Sequence, residues 1–438
     1  MKSASIIDVD RRTRHLASPI IGINALSAFR LLVGVYLLLF FLGFGDPALT
    51  RFESVVGILL FVCITPYYIS SCRGRILLPP PFLLFFGLIV YFWLNLMYHQ
   101  EMAVGWGVDP LQYTRLITAA ISICISYAIF LYLIIFRDFS FFFKLVFVCL
   151  FVAILLTILS HSGAAATERA GGTLGAVNIF ASGIVAMSAL FLVPLAWEVS
   201  RRSGGNVTIL AVFLLLSLGL VMNILYTGSR QGMLLTASMI LIVILAALSR
   251  MLHRPGLLVL PLAIVVLGTV AITLDVFGLS TNRYIQRLFN LLGYFREEEL
   301  LVREQSVFLR ALYIEVGLEL WRERPLVGYG MDSFRHISGF RTYSHNNFVD
   351  LLVGGGVLAL GIYLLAHLAV LKRFVLDWNS PPLVRVVGSF AVLVLILTGF
   401  TIVTYYSRAH LLSFGVLAAL PYASLVRKER LKNLPLSA

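Results

Sequence analysis

Long apolar stretches, separated by polar connections that are mostly short, recur along almost the whole chain of 438 residues. Many of these stretches reach about 18 residues, which is enough for a helix to cross the hydrocarbon layer of a membrane. They lack the two-residue alternation of apolar and polar positions that marks the strands of a membrane barrel. Because only helices and closed barrels satisfy the backbone inside lipid, the pattern predicts an all-α, polytopic membrane protein.

The pattern predicts about 12 transmembrane helices and one large loop. Three regions follow from it: residues 1–206 with spans one to six, residues 207–371 with a core that includes the loop 276–345, and residues 372–438 with spans eleven and twelve and a tail. The predicted spans are, to within a few residues at each end, about 22–44, 53–71, 82–98, 113–136, 139–160, 176–198, 207–226, 231–249, 257–275, 346–371, 384–405 and 408–426.

The distribution of basic residues predicts the orientation of these spans. Lysine and arginine concentrate in the connections of one side, and all five lysines fall on or near that side, which is the rule for cytoplasmic loops. Both termini are therefore expected in the cytoplasm and the loop 276–345 outside it. The net charge of +13 is explained by the membrane, so nucleic acid is not expected as a partner.

The loop from Val276 to Tyr343 carries nine arginines and no lysine. The planar fork of arginine suits two-pronged binding of phosphate better than lysine does. The alternative is that these arginines pair with the nearly equal number of acidic residues in the loop. Residues 305–324 have apolar positions at helical spacing, with Arg310 just beside the apolar stripe, and Pro325 is expected to end this helix.

Two sequences mark the outward-facing starts of predicted spans. In one, Gly228 permits a tight turn and Arg230 opens span eight; in the other, Ser344 is expected to cap span ten and His345 follows it. The free N–H groups and positive dipole at such helix starts attract anions such as phosphate. The same dipole disfavours imidazolium, so His345 is expected to be neutral and able to accept a proton.

Each of these residues also has a structural interpretation. Arg230 could anchor its helix at the lipid headgroups, His345 could cap its own helix, and Arg169 could pair with Glu168. Tyr329 could be an interface anchor rather than a platform for sugar rings. The four cysteines show neither paired nor metal-ligand spacing, so no metal site is predicted.

The order of these motifs resembles the O-antigen ligase and O-antigen polymerase superfamily of bacterial glycosyltransferases. The resemblance covers roughly residues 208–365. It is carried by Gly228-Ser229-Arg230-Gln231-Gly232, Arg310, Arg324-Pro325-Leu326-Val327-Gly328-Tyr329-Gly330, Ser344-His345-Asn346-Asn347-Phe348 and Gly354-Gly355-Gly356.

The resemblance implies an inner-membrane enzyme of lipopolysaccharide or exopolysaccharide biosynthesis with a periplasmic site. Its donor would be a glycan on undecaprenyl diphosphate, its acceptor lipid A-core or a lipid-linked glycan, and it would need no cofactor or metal. Membrane lipids and other polysaccharide-assembly proteins are its expected partners. Arg230 and Arg310 would bind the diphosphate, and His345 would orient or deprotonate the acceptor hydroxyl. Further substrate-binding candidates are Arg169, Ser344, Asn346 and Tyr329.

Three functions remain open at this point. The compact core with one dominant loop favours a ligase that delivers a finished chain to lipid A-core. A polymerase that joins lipid-linked repeat units needs the same donor site and is the alternative. A lipid-linked oligosaccharide flippase is expected to carry charges deep within several spans, whereas most charges of this chain fall at helix ends and in the one loop.

Overall fold

The structure is a computed structural model and describes residues 19–42, 47–71, 78–102, 110–161, 177–200, 206–222, 230–251, 305–376, 380–400 and 402–432. Within these ranges the regular secondary structure is entirely helical. The helices are α1 Pro19–Leu42, α2 Pro47–Ser71, α3 Pro80–Met102, α4 Pro110–Phe136, α5 Phe139–His161, α6 Val177–Ala189, α7 Leu192–Ser200, α8 Asn206–Met222, α9 Arg230–Met251, α10 Gln305–Glu323, α11 Phe334–Ile337, α12 Asn347–Leu376, α13 Pro382–Thr398 and α14 Arg408–Lys432.

The helical, membrane-embedded class predicted from the sequence is confirmed. Four of the described helices are long and apolar enough to cross a membrane, over Arg51–Ser70, Pro80–Tyr98, Gln112–Phe136 and Asn347–Leu376. Predicted span nine, 257–275, lies outside the described residues, as does the first part of the long loop, 276–304. The count of 12 spans therefore remains a prediction.

Helix α4 forms the centre of the packed bundle. Its residues from Ile129 to Leu133 are buried on every side, and α2, α3 and α14 pack around it. The hydroxyl of Ser126 donates a hydrogen bond of 2.6 Å to the Leu411 carbonyl, which ties α14 closely to α4. Leucine and valine side chains remain exposed on the outward faces of several helices, as expected where lipid replaces water.

Two predicted spans end or break where the pattern of apolar residues continues. Span six is divided into α6 and α7 because Pro194 has no N–H and its ring crowds the carbonyl four residues before it. Span eleven, predicted to reach residue 405, ends as a helix at Thr398. The described part of the chain that follows, 399–400 and 402–407, is a connection rather than a continuation of the helix, with residues 402–405 buried and Phe400 exposed.

The amphipathic helix predicted at 305–324 is confirmed as α10, and it packs against α12. Phe334, Val349 and Val353 form a small buried cluster, and Tyr313 of α10 lies against it. The chain after α10 then pairs with α12 through its backbone: Tyr329 N–H donates to the Val353 carbonyl at 2.9 Å, and Gly330 N–H to the carbonyl of Gly354 at 2.7 Å.

This backbone pairing is possible because α12 is kinked. Gly356 has φ 62 and ψ −165, a conformation that essentially only glycine adopts, and it opens the helical hydrogen-bond ladder. The Pro325 carbonyl accepts the Val357 N–H at 2.9 Å, and the hydroxyl of Tyr91 donates to the Gly355 carbonyl at 2.8 Å. The backbone groups released by the kink are thus satisfied by the segment after α10 and by α3.

We expect Gly356→Ala to destabilise the protein by about 1–3 kcal/mol or more, because a side chain at this φ is strained. Its Cβ would also overlap the backbone of Leu326. Gly361→Ala is the matched control, since that glycine lies on the same helix with no atom within 4 Å of an added Cβ. Thermal unfolding of both variants in detergent measures the difference; equal stability would contradict the strained kink.

Candidate functional site

The start of α12 is capped by Asn346. The Oδ1 of Asn346 accepts hydrogen bonds from the N–H groups of Phe348 at 2.9 Å and Val349 at 3.2 Å, which is the arrangement of an N-cap side chain. The expectation that Ser344 caps this helix is wrong. Ser344 precedes the cap by two residues, and its Oγ donates to the Asn346 carbonyl at 2.7 Å.

Ser344 is instead held by a buried carboxylate on the first turn of α12. The Ser344 Oγ lies 3.2 Å from Oδ2 of Asp350, and the hydroxyl of Tyr405 donates to Oδ1 at 3.2 Å. Ser344 and Asp350 are each 1% exposed. These contacts fix the backbone on either side of His345, so Ser344 and Asn346 support the histidine rather than present an open surface to a substrate.

Asn347 ties the same helix start to the connection between α13 and α14. Its Oδ1 accepts hydrogen bonds from the N–H groups of Thr404 at 2.7 Å and Tyr405 at 3.0 Å. Its own N–H donates to the Gly399 carbonyl at 2.7 Å. Two segments that are far apart in the sequence, the start of α12 and the connection before α14, therefore meet at the first residue of α12.

His345 is presented in a strained backbone conformation between two tyrosine rings. Its φ of 55 lies in the left-handed region, which residues other than glycine rarely occupy and which clusters at functional sites. The imidazole centroid lies 4.1 Å from the Tyr343 ring and 5.9 Å from the Tyr313 ring, the latter nearly parallel to it. Its Nδ1 is buried and has no hydrogen-bond partner among the described residues.

The surroundings of His345 keep the imidazole neutral. Burial, together with the positive charge of nearby Arg310, lowers the pKa of His345 from its ordinary value of 6.5 to about 4. As the pH falls below 6.5 the neutral form therefore persists, and it is lost only near the lowered value. The neutral state expected from the helix dipole is thus also favoured by burial and by Arg310, which the structure brings beside His345 from α10.

A second charged group is centred on Asp332 and is connected to this histidine through the ring of Tyr343. Asp332 is fully buried, and its Oδ2 is within ion-pair distance of Nε of Arg335 at 3.3 Å and Nε of Arg115 at 3.9 Å. The guanidinium of Arg335 lies 6.0 Å from the centre of the Tyr343 ring, which is the ring against His345. Burial raises the pKa of Asp332, and the two arginines oppose that change.

Of the three other predicted site residues, Tyr329 is the one whose side chain the structure describes. Tyr329 packs against the Phe334 cluster from the side of the kink, with its hydroxyl donating to Glu323 and the Arg324 guanidinium 4.6 Å from its ring centre. Arg230 is the first residue of α9, but its side chain lies outside the described part. Arg169 lies outside the described residues altogether.

Sequence reasoning missed the acidic residues of the site and one arginine. Asp350 lies inside a predicted apolar span, and an acid there is costly enough to be a signal of function. Arg115, near the start of α4, is a similar signal. No local pattern marked Asp332, because its surroundings come from α4, the segment before α12 and the connection before α14.

The described residues contain no group of three or more His, Cys, Asp and Glu side chains placed to hold a metal ion. Arg408 and His410, in the first turn of α14, have partners within the bundle. Arg408 forms an ion pair of 2.6 Å with Glu53, and His410 Nε2 lies 3.0 Å from His367 Nε2. Both groups lie outside the surroundings of His345 described above.

Comparison with known families identifies a part of the chain that contains much of this site. Residues 212–364 match a family model described as O-antigen ligase. The matched region includes Arg230, Arg310, Asp332 and His345, and it confirms the superfamily resemblance drawn from the sequence motifs. No curated protein sequence matches the chain.

Proposed function

We propose that this chain, which over residues 212–364 belongs to the O-antigen ligase superfamily, is a ligase-type glycosyltransferase of the bacterial inner membrane. It moves a glycan from undecaprenyl diphosphate to a hydroxyl of lipid A-core on the periplasmic face. The observation that carries the proposal is a partly buried His345, held between the Tyr343 and Tyr313 rings, with Arg310 close enough to lower its pKa and keep it neutral. This pairs a group that can accept a proton with a group that can bind an anion.

The bond changes follow from these two chemical roles. The acceptor oxygen forms the new glycosidic bond at the anomeric carbon as the bond from that carbon to the diphosphate oxygen breaks. The bonding electrons leave with the polyprenyl diphosphate, and the hydroxyl proton passes to His345 and then to solvent. Arg310 and Arg230 stabilise the negative charge that develops on the leaving diphosphate. Apolar faces of the spans hold the polyprenyl tail.

Binding of the donor raises the pKa of His345 toward the operating pH. A base works best when its pKa is near the operating pH, and a value of about 4 is low for that purpose. A diphosphate beside Arg310 would cancel part of the positive field at His345. The imidazole then becomes more basic only when the donor is in place, so proton acceptance is linked to donor occupancy.

The buried charges of the bundle favour an enzyme over a flippase. Glu53 lies in the second turn of α2, Asp350 in the first turn of α12, and Arg408 begins α14. Asp138, which binds the two prongs of Arg30 at 2.6 and 2.9 Å, lies between α4 and α5. These charges are therefore at helix ends, apart from Arg30, rather than along a path through the centre of the spans.

Deleting the gene in its host and separating the surface polysaccharide on a gel tests the ligase assignment. If the gene encodes a ligase, its deletion leaves full-length polymer on the lipid carrier and unmodified lipid A-core. Loss of the polymer with single repeats on lipid A-core would instead identify an O-antigen polymerase, and loss of a secreted polymer an exopolysaccharide polymerase. Complementation with the wild-type gene is the positive control.

We expect Arg310→Lys and Arg230→Lys to remove most transfer activity by weakening donor binding, because lysine keeps the charge but loses the two-pronged geometry. The matched control is Arg322→Lys, an exposed arginine on the same helix as Arg310. Donor affinity and transfer rate are measured on protein in lipid. If both site variants transfer at the wild-type rate, these arginines act only as structural anchors.

We expect His345→Asn to lower the transfer rate by about 10²–10⁴-fold, the usual contribution of a general acid or base, while donor affinity is retained. With saturating donor, the wild-type rate should be constant from about pH 8.5 to 7 and fall in acid with a midpoint below the ordinary histidine value. The residual activity of the variant should not show this fall. A wild-type midpoint at or above pH 6.5, or an asparagine variant with wild-type activity, contradicts the assignment.

A further inference from the structure

We propose that Asp332, together with Arg335 and Arg115, binds the hydroxyl groups of the acceptor sugar and positions it for His345. The inference rests on the proposed glycan transfer for the nature of the ligand. It adds an acceptor subsite to a site whose other arginines, Arg310 and Arg230, are assigned to the donor diphosphate. Asp332 is a positioning residue in this account, because His345 is the group that receives the proton.

The first evidence is a set of buried polar atoms whose hydrogen bonds are not made. Among the described residues, neither carboxylate oxygen of Asp332 has a partner in hydrogen-bond geometry, and the Nε atoms of Arg335 and Arg115 have none either. The arginines lie within ion-pair distance of Asp332 but not in hydrogen-bond geometry. Unmade hydrogen bonds at buried charged groups are costly, so such a cluster is poised for a ligand.

The mixture of atoms indicates the chemistry of that ligand. The carboxylate lacks donors while the two guanidinium groups lack acceptors, so the best complement both donates and accepts. A sugar hydroxyl does both: its O–H donates to Asp332 and its oxygen accepts from Arg335 or Arg115. A bare phosphate would satisfy the arginines but would meet the charge of the carboxylate, which disfavours it at this position.

The backbone of Asp332 is strained, and its side chain lies beneath two side chains that are partly open to solvent. Asp332 has φ 57, a strained conformation for a residue other than glycine, and its N–H is directed to the Tyr405 hydroxyl at 3.4 Å. The side chains of Arg335 and Arg115 cover it and are themselves 21% and 36% exposed. Because both side chains are partly exposed, a change of rotamer at either one would let a hydroxyl enter between them.

Aromatic rings beside the cluster fit a sugar and connect it to His345. The Arg115 guanidinium lies 5.2 Å from the centre of the Tyr406 ring, and that of Arg335 lies 6.0 Å from the centre of the Tyr343 ring. Sugar rings present apolar C–H faces that pack on aromatic surfaces of this kind. Tyr343 also packs against His345, so this ring lies between the Asp332 cluster and the imidazole and could carry the face of a sugar that reaches both.

The test compares Asp332→Asn with the wild type as full-length protein in lipid nanodiscs, using purified lipid A-core as the acceptor probe. Asparagine keeps the shape but loses the charge. We expect the acceptor KM to rise about 10-fold or more, the effect of losing hydrogen bonds to a charged group. Donor affinity should stay within about twofold, and a purely structural defect would not separate the two. An unchanged acceptor KM, or an equal loss of donor affinity, overturns the proposal.

Asp138→Asn is the matched control, because it makes the same chemical change in an ion pair that is fully hydrogen-bonded, away from His345. Its acceptor KM should equal that of the wild type. If Asp332→Asn does not fold, Arg335→Gln takes its place with the same expectation. A normal acceptor KM in Arg335→Gln overturns the proposal.

Direct binding separates this inference from the proposed function. The wild type should bind lipid A-core about 10-fold more tightly than the same glycolipid whose vicinal hydroxyls have been cleaved with periodate, and Asp332→Asn should bind both equally weakly. If this result is obtained and no transfer is detected, the acceptor subsite is supported and the ligase function is contradicted. Transfer by the wild type with no preference for the intact glycolipid would remove the subsite alone.

Discussion

The backbone pairing between the segment after α10 and the opened ladder of α12 is the constraint on which the site depends. A kink in an apolar helix releases N–H and C=O groups that lipid cannot satisfy. The carbonyl of Pro325 and the N–H groups of Tyr329 and Gly330 satisfy those groups. This contact fixes the point at which the chain turns away from α12 after α10. It therefore sets the position of the segment that runs from Asp332 to His345.

Glycines make that contact possible from both sides. Gly328 and Gly356 both have positive φ, and a Cβ on either would overlap the backbone of the other segment. The two glycine motifs that contribute to the superfamily resemblance thus form one backbone contact. In the described structure they bring two backbones together, and the side chains that this contact positions carry the polar groups of the site.

The site separates two kinds of charge. In the first region, Arg310 lies close enough to His345 to lower the pKa of that imidazole and favour its neutral form. Asp332 and Asp350 are held a short distance away by Tyr405, whose hydroxyl donates to Asp350 and faces the N–H of Asp332. In the proposed function, the anionic donor binds the first region, and the second offers both donors and acceptors to the hydroxyl groups of the acceptor. The two proposed substrates thus differ in charge as the two regions do.

The sequence by itself determined the helical class and most helix positions of the described residues, and it supplied the residues that the proposed function assigns to the donor. Apolar length and helical spacing are local properties, so α10 and the long spans could be predicted, and so could a neutral His345 at a helix start. The cap was misassigned because serine and asparagine both serve as N-caps, and only the hydrogen bonds distinguish Ser344 from Asn346. The kink at Gly356, the proximity of Arg310 to His345 and the grouping of Asp332 with Arg115 were decided by the tertiary structure. They depend on contacts between segments distant in sequence, and hydrophobic periodicity carries no information about which polar residues those contacts bring together.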